Sequence, residues 1–352
     1  MFNPKYRLTN SIVKMLTAVA EAKAVIERAK ILPKQELKLR RQALIRMSHS
    51  STAIEGNQLN IHEVEALVGR KKVDAPQRDI FEVQNYLNAL KYIGQVVEKK
   101  QAITEKILLK IHKLVTDKTL DQESSGKYRK GPIYVVRRRL GLPNEVMYTG
   151  PDAKKVSGLC ADLVDWIRES EKRDVDPIIV AGIVHQEIAV IHPFNDGNGR
   201  TARALATLIL YKRGYDFRRL FALEDYYNKD RQRYYKAINI GKTYDERKVD
   251  FTSWLEYFTK GFKGEIDNVK NKIMALSAKL DDENINSQIY LDKDQMKILD
   301  FLDKIGKINV NDVVDILDCP KRTAQFHLQK LKKTGIIKQI GNGPASAYIL
   351  KK

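Results

Sequence analysis

Apolar residues recur at three- and four-residue intervals through most of the first 280 positions. Ile12, Val13, Leu16, Val19, Ala20 and Ala24 share one helical stripe, as do Phe81, Val83, Tyr86, Leu87, Leu90 and Ile93. The spacing predicts further helices over about 104–117, 153–171, 176–191, 198–213, 229–239 and 250–278, each bounded by Gly, Pro, Asp or Asn. One stretch breaks the pattern. In 131–150, GPIYVVRRRLGLPNEVMYTG, β-prone residues at 133–136 and 146–148 flank Gly-Leu-Pro-Asn, which predicts a β-hairpin set between helices. The polar run 282–294 lacks helical periodicity and predicts a domain boundary. Beyond it come a helix (295–302), a helix (310–317), a turn at Cys319-Pro320 and a helix (322–333). Two β-prone runs (336–340 and 347–350) then surround Gly341-Asn342-Gly343-Pro344, completing the order of a helix-turn-helix with a hairpin wing. The expected fold is mainly α, with a hairpin insert and a small winged module. It divides at about 1–100, 101–280 and 281–352.

Composition narrows the class. The 352 residues, 43% hydrophobic, suffice for two or three cores. No run of about 18 apolar residues occurs, and MFNPKYRLTN lacks the apolar centre of a signal peptide, so a cytoplasmic protein without a membrane partner is expected. Cys160 and Cys319 alone argue against a disulfide framework or a zinc site. A formal charge of +19 suits a nucleic-acid partner, but a lysine-rich composition also produces it, so the location of the charge decides. Residues 320–352 hold eight Lys or Arg and no Asp or Glu, whereas 291–319 hold seven acidic residues against four basic. Lys321, Arg322, Thr323, Gln325 and His327 crowd the start of the last helix, and these types contact base edges and phosphates. Duplex DNA is the expected partner of this module, with protein interaction or dimerisation as the alternative.

The densest chemistry lies in HPFNDGNGRTAR, residues 192–203. Gly197, Asn198 and Gly199 lead into a helix starting near Arg200, so backbone N–H groups and a helix N-terminus converge on one place, which suits phosphate. Arg200 and Arg203, at i and i+3, bring planar forks for phosphate oxygens. Asp196 is a hard oxygen ligand suited to a phosphate-bridging Mg²⁺. His192 ends the preceding helix and can take a proton from a hydroxyl near neutral pH. A metal hydrolase built on His185 and His192 is disfavoured, since no HExxH-like pair with a third ligand is visible.

This segment resembles the full motif of the Fic family, H-x-F-x-[D/E]-G-N-G-R-x-x-R, with every defining position filled. The resemblance implies a helical Fic core with a β-hairpin flap, and transfer of AMP from ATP to a Ser, Thr or Tyr hydroxyl of a protein target. It implies His192 as general base, Asp196 as Mg²⁺ ligand, and Gly197, Asn198, Gly199 and Arg200 as phosphate cradle. Phe194 would anchor the loop and Arg203 would meet the γ-phosphate. The hairpin is similar to the family's flap, where Ile133, Tyr134, Val135 and Val136 would pair edge-on with the target and border the nucleotide. Tyr234 and Tyr235 resemble the aromatic pair near the adenine, but Lys242 stands where some relatives have Asn, which leaves the base open.

Upstream, Ser51, Glu55 and Gly56 fill the defining positions of a motif similar to the family's inhibitory one, [S/T]-x-x-x-E-[G/N]. In relatives with this motif the Glu pairs with the second arginine, here Arg203. A carboxylate there would satisfy the guanidinium and repel the γ-phosphate. Some relatives use the same Glu to activate water and remove AMP, so Glu55 can be a brake, a base for the reverse reaction, or both. Arg137, Arg138 and Arg139 near the flap tip suggest attraction to an acidic target surface. The other functional class is a DNA-binding regulator whose Fic domain senses nucleotide. The oligomeric state is open, a homodimer included.

Overall fold

The computed structural model describes residues 2–139, 142–239, 241–247, 249–282, 291–341 and 346–351. The fold is mainly helical, with two small antiparallel hairpins. No helix of the described residues is long and apolar enough to cross a membrane. The chain forms two compact units, one of Met1–Glu27 with Gln42–Lys270, the other of Arg28–Arg41 with Asn271–Lys352.

The first unit holds α1 (Asn10–Arg28) up to Glu27, residues 42–54 of α2 (Pro33–Ile54), α3 (Ile61–Val68), α4 (Gln77–Glu98) and α5 (Glu105–Val115). It continues with β1 (Tyr134–Arg139), β2 (Leu142–Thr149), α6 (Ala153–Lys172), α7 (Pro177–Ile191) and α8 (Asn198–Lys212). After α9 (Leu223–Lys229) and α10 (Arg231–Ile238) it ends within α11 (Thr252–Asp282). Helix α7, PIIVAGIVHQEIAVI, is apolar almost all round and is buried along nearly its whole length, as a central helix must be. Asp176 caps it by accepting from Ile178 and Ile179 N–H, and Pro177 occupies the first turn, where a missing N–H costs nothing. Gly182 lets α11 approach closely: a Cβ there would come within 2.8 Å of Leu255 Cδ2, and Trp254 Nε1 donates to the Gly182 carbonyl at 2.7 Å.

Two expectations need correction. The helix predicted over 229–239 begins two residues later, as α10, because Asp230 leaves helical geometry (φ −142°, ψ 78°) and caps it by accepting from Arg233 N–H; α9, just before it, was not predicted. The hairpin strands are also longer than predicted. Leu142, Pro143 and Asn144 belong to β2 and not to a turn; residues 140–141 lie outside the described residues. A proline is tolerated there because a two-stranded ribbon leaves every strand an open edge. The strands pair antiparallel, Tyr134 with Thr149 and Val135 with Tyr148, with a register shift before Val136 pairs with Val146.

The second unit contains α12 (Lys293–Ile305), α13 (Val310–Leu317), α14 (Lys321–Lys333), β3 (Ile337–Ile340) and β4 (Ala347–Leu350). Capping boxes at Asp292 with Gln295 and at Asn309 with Asp312 start the first two helices, and left-handed Gly306 and Asp318 end them. The expected 282–294 boundary falls mostly on residues 283–290, and the wing tip on 342–345; both stretches lie outside the described residues. This unit takes in more chain than the predicted 281–352. Leu37 of α2 joins a core that includes Leu299, Leu302, Val313, Leu328, Leu331 and Ile337. Arg40 bridges Glu36 and Asp300 at 2.7 and 2.6 Å.

Candidate active site

The loop between α7 and α8 begins at His192, the left-handed C-cap of α7 (φ 49°, ψ 58°). Its Nδ1 lies 3.0 Å from the Ala189 carbonyl, which can only accept, so Nδ1 carries the proton and Nε2 keeps a free lone pair. Burial pushes the imidazole below its ordinary pKa, so the neutral, proton-accepting form prevails at neutral pH. The loop is held from several sides. Asn198 accepts from Phe194 N–H at 2.9 Å and donates to the Phe194 carbonyl at 2.8 Å. Phe194 is fully buried and stacks on His112 with ring centroids 3.7 Å apart. Gly197 has φ 76°, and a Cβ there would meet Thr116 Cγ2 at 2.7 Å, so no other residue fits this turn without displacement.

Past Gly197 the backbone enters α8. A Cβ on Gly199 would collide with Glu55 Oε1 and come within 3.0 Å of Arg203 Nη1. The bare α-carbon therefore lines a cradle at a helix N-terminus, and a carboxylate from another element sits in it. That carboxylate is tied to Arg203: Nη2 donates to Glu55 Oε1 at 2.7 Å and to the Ser51 carbonyl at 2.8 Å, and Nε donates to Ser51 Oγ at 2.9 Å. Burial presses the Arg203 pKa down, but the charge and hydrogen bond of Glu55 together with the nearby Tyr234 and Tyr86 outweigh it, and the net shift is upward. Gly56 (φ 98°) turns the chain sharply away just beyond.

Asp196 Oδ1 accepts from Gly197 N–H at 2.6 Å and lies 3.4 Å from Arg200 Nη2, while Oδ2 accepts from Arg78 at 3.1 Å. Its side chain is 40% exposed. Arg200 is buried and also faces Glu82 at 3.5 Å and the Val115 carbonyl at 3.4 Å. The two arginines thus serve different partners, Arg200 the Asp196 side and Arg203 the Glu55 side. Of the tyrosine pair, Tyr234 is 2% exposed with its hydroxyl 2.9 Å from His185 Nε2 and 3.4 Å from Arg203. Tyr235 is 47% exposed and donates to the Ile54 carbonyl at 2.9 Å. On the hairpin, Tyr134, Val135 and Val136 are exposed and Ile133 is half-buried. Among the described residues β1 pairs only with β2, so its outer edge is free. The side chains of Arg137, Arg138 and Arg139 lie outside what the structure describes.

A family model described as the Fic/DOC family matches residues 102–210. Over these residues the chain is similar to a Fic domain. Protein adenylyltransferase Fic of Drosophila willistoni is 28% identical over 202 residues, 57% of this chain and 36% of that protein. The protein of the same name from Nematostella vectensis is 30% identical over 179 residues, 50% of this chain and 39% of its own. The chain therefore spans less than two fifths of the length of these curated relatives. A crystal structure of a Fic family protein from Desulfovibrio desulfuricans G20 shares the fold with a TM-score of 0.64 at 25% identity, covering 99% of this chain and 98% of that one.

Around the Fic loop stand residues that sequence reasoning missed. His112 Nδ1 accepts from Gly126 N–H at 2.9 Å, so its Nε2 carries the proton and donates to the Asp196 carbonyl at 3.0 Å. Burial pushes its pKa down to about 4, which keeps the ring neutral and this tautomer fixed at neutral pH. Glu82 of α4 receives Arg78 at 3.2 Å and the Asn57 amide at 3.0 Å besides facing Arg200. Arg129, in the lysine-rich stretch KYRKG, is buried rather than solvated. No local pattern marks these residues, because each acts on a partner distant in sequence.

Proposed function

We propose that the chain transfers AMP from ATP to a hydroxyl side chain of a protein target and that Glu55 restrains it. The observation that carries this reading is the Glu55 carboxylate in the Gly199 cradle, bound to Arg203 at 2.7 Å. A carboxylate held by an arginine beside a helix N-terminus supports reading this place as a seat for anions. The target hydroxyl oxygen attacks the α-phosphorus and forms the new P–O bond. The bond to the bridging oxygen breaks, pyrophosphate leaves with its electron pair, and the hydroxyl proton passes to His192 Nε2. The α8 N–H groups, Arg200 and Arg203 meet the charge developing on phosphoryl oxygens. Asp196, a half-exposed hard carboxylate beside the proposed phosphate cradle, suits Mg²⁺, whose other ligand positions nucleotide and water would fill. Bound there, Mg²⁺ would neutralise phosphate charge. The open edge of β1 would align an extended target segment, and Tyr235 would border the base.

The reading is tested with ATP labelled on either the α- or the γ-phosphate, incubated with the Glu55→Gly protein. The α-label stays on denatured protein and the γ-label leaves with pyrophosphate. Retained γ-label would mean phosphoryl transfer and would overturn the reading.

A second activity is proposed for the C-terminal unit, read as a winged helix. Lys321, Arg322, Thr323 and Gln325 are all exposed on the first turns of α14, a position suited to duplex DNA. Lys332, Lys338 and Lys351 line a concave surface at the β3–β4 hairpin. Affinity for duplex DNA is expected to fall steeply with salt, and Lys321→Ala with Arg322→Ala should reduce the log–log slope by about 2. Absence of binding at low salt would leave protein interaction as the role of this unit.

A further inference from the structure

The last carbonyls of a helix have no donors within it. At the end of α7, directly before the loop at His192, the Val190, Ile191 and His192 carbonyls meet donors from the flap and from Arg129. Tyr148 Oη donates to the Val190 carbonyl at 2.7 Å, and Arg129 Nε donates to the His192 carbonyl at 2.8 Å, with Nη2 3.5 Å from that of Ile191. The Arg129 backbone N–H donates to the Pro193 carbonyl at 3.0 Å. The same guanidinium reaches the two ends of the flap, donating from Nη1 to Gly131 O at 2.7 Å and from Nη2 to Pro151 O at 2.6 Å. Gly150 makes room for this arrangement, since a Cβ there would come to 2.5 Å from Ile133 Cγ2 and 3.1 Å from Arg129 Nη2.

Arg129 is buried, and these side-chain bonds all go to backbone carbonyls. Burying a cation without a carboxylate in hydrogen-bond contact is costly, and burial indeed presses its pKa down. A cation at a helix C-terminus recovers part of that cost, and only a planar fork can span acceptors on three segments at once. We propose that Arg129 is a positioning residue that sets the spacing between the flap and His192, so that a hydroxyl carried on β1 falls within reach of Nε2. The proposal rests on the AMP-transfer reading. None of these hydrogen bonds reaches the 197–203 cradle, so the loss should fall on turnover and not on nucleotide binding.

The test places Arg129→Gln and Arg129→Lys in the Glu55→Gly protein and measures kcat and KM for ATP in self-modification, ATP affinity, and hydrogen exchange. In Arg129→Gln, kcat should fall about 10- to 100-fold, with KM and ATP affinity nearly unchanged. Lys should restore part of the rate. Amides at 133–136 and those of His192 and Phe194 should exchange faster. An unchanged kcat, or an ATP affinity that falls in parallel with it, would overturn the proposal. If Arg129→Gln does not fold, Tyr148→Phe removes a single hydroxyl and should show the same split at smaller size; no split overturns the proposal. If the Glu55→Gly parent itself moves no AMP, the transfer reading fails. The clasp is then judged by exchange alone, and unchanged exchange in Arg129→Gln would refute it.

Discussion

His192→Ala lowers AMP transfer by about 10²- to 10⁴-fold while ATP still binds. The hydrogen bond from Nδ1 to Ala189 leaves Nε2 as the one lone pair aimed outward, and no other imidazole replaces it. His112 has both nitrogens engaged and His185 is fully buried against Tyr234. His192 already bears the cost of a left-handed backbone with a Cβ, so alanine there should leave the protein folded. The pH dependence follows from the direction of the shift. Burial depresses the His192 pKa, so the neutral base is lost only as pH falls below the ordinary histidine value of 6.5. Single-turnover rates of the Glu55→Gly protein should therefore stay flat from pH 8 to about 6.5 and decline only below it. An acid limb centred above pH 7 would contradict this assignment.

Glu55→Gly should raise transfer by about 10²-fold. Opening a buried ion pair costs about 3–5 kcal/mol, and each 1.4 kcal/mol is a factor of ten. Arg203 is almost wholly buried, but Glu55 keeps 32% of its side chain in contact with water, so the lower end of that range applies. ATP must displace Glu55 from both Arg203 and the Gly199 cradle to place its phosphates productively. The substitution removes the competitor and leaves the Ser51 contacts to hold Arg203 in place. Comparing initial rates of the two proteins at saturating MgATP checks this. Equal rates would mean that the Glu55 contact does not limit transfer.

The sequence shows the active loop well because its parts are contiguous. The proposed base, acidic ligand, cradle and arginines all fall in one run, residues 192–203, and the helix N-terminus beside them follows from Gly-Asn-Gly. The contact of Glu55 with Arg203 spans 148 positions and was legible only through resemblance to a known motif. Arg129, His112 and Glu82 were invisible because their roles depend on which carbonyl or side chain the fold brings near. Elsewhere local rules competed. Asp230 lies inside the predicted helix, but its side chain bonds locally to Arg233 N–H and caps α10 instead of continuing a helix. Leu37 lies in the charged stretch PKQELKLRRQ and shows its core role only once α12–α14 are folded against it.

The most direct test of the central claim is intact-protein mass spectrometry of wild type, Glu55→Gly and Glu55→Gly with His192→Ala after incubation with ATP and Mg²⁺. The account predicts the mass of one or more adenylates on Glu55→Gly, little on wild type and none on the double variant. Adenylate on the double variant equal to that on Glu55→Gly, or none on Glu55→Gly with ATP demonstrably bound, would contradict it.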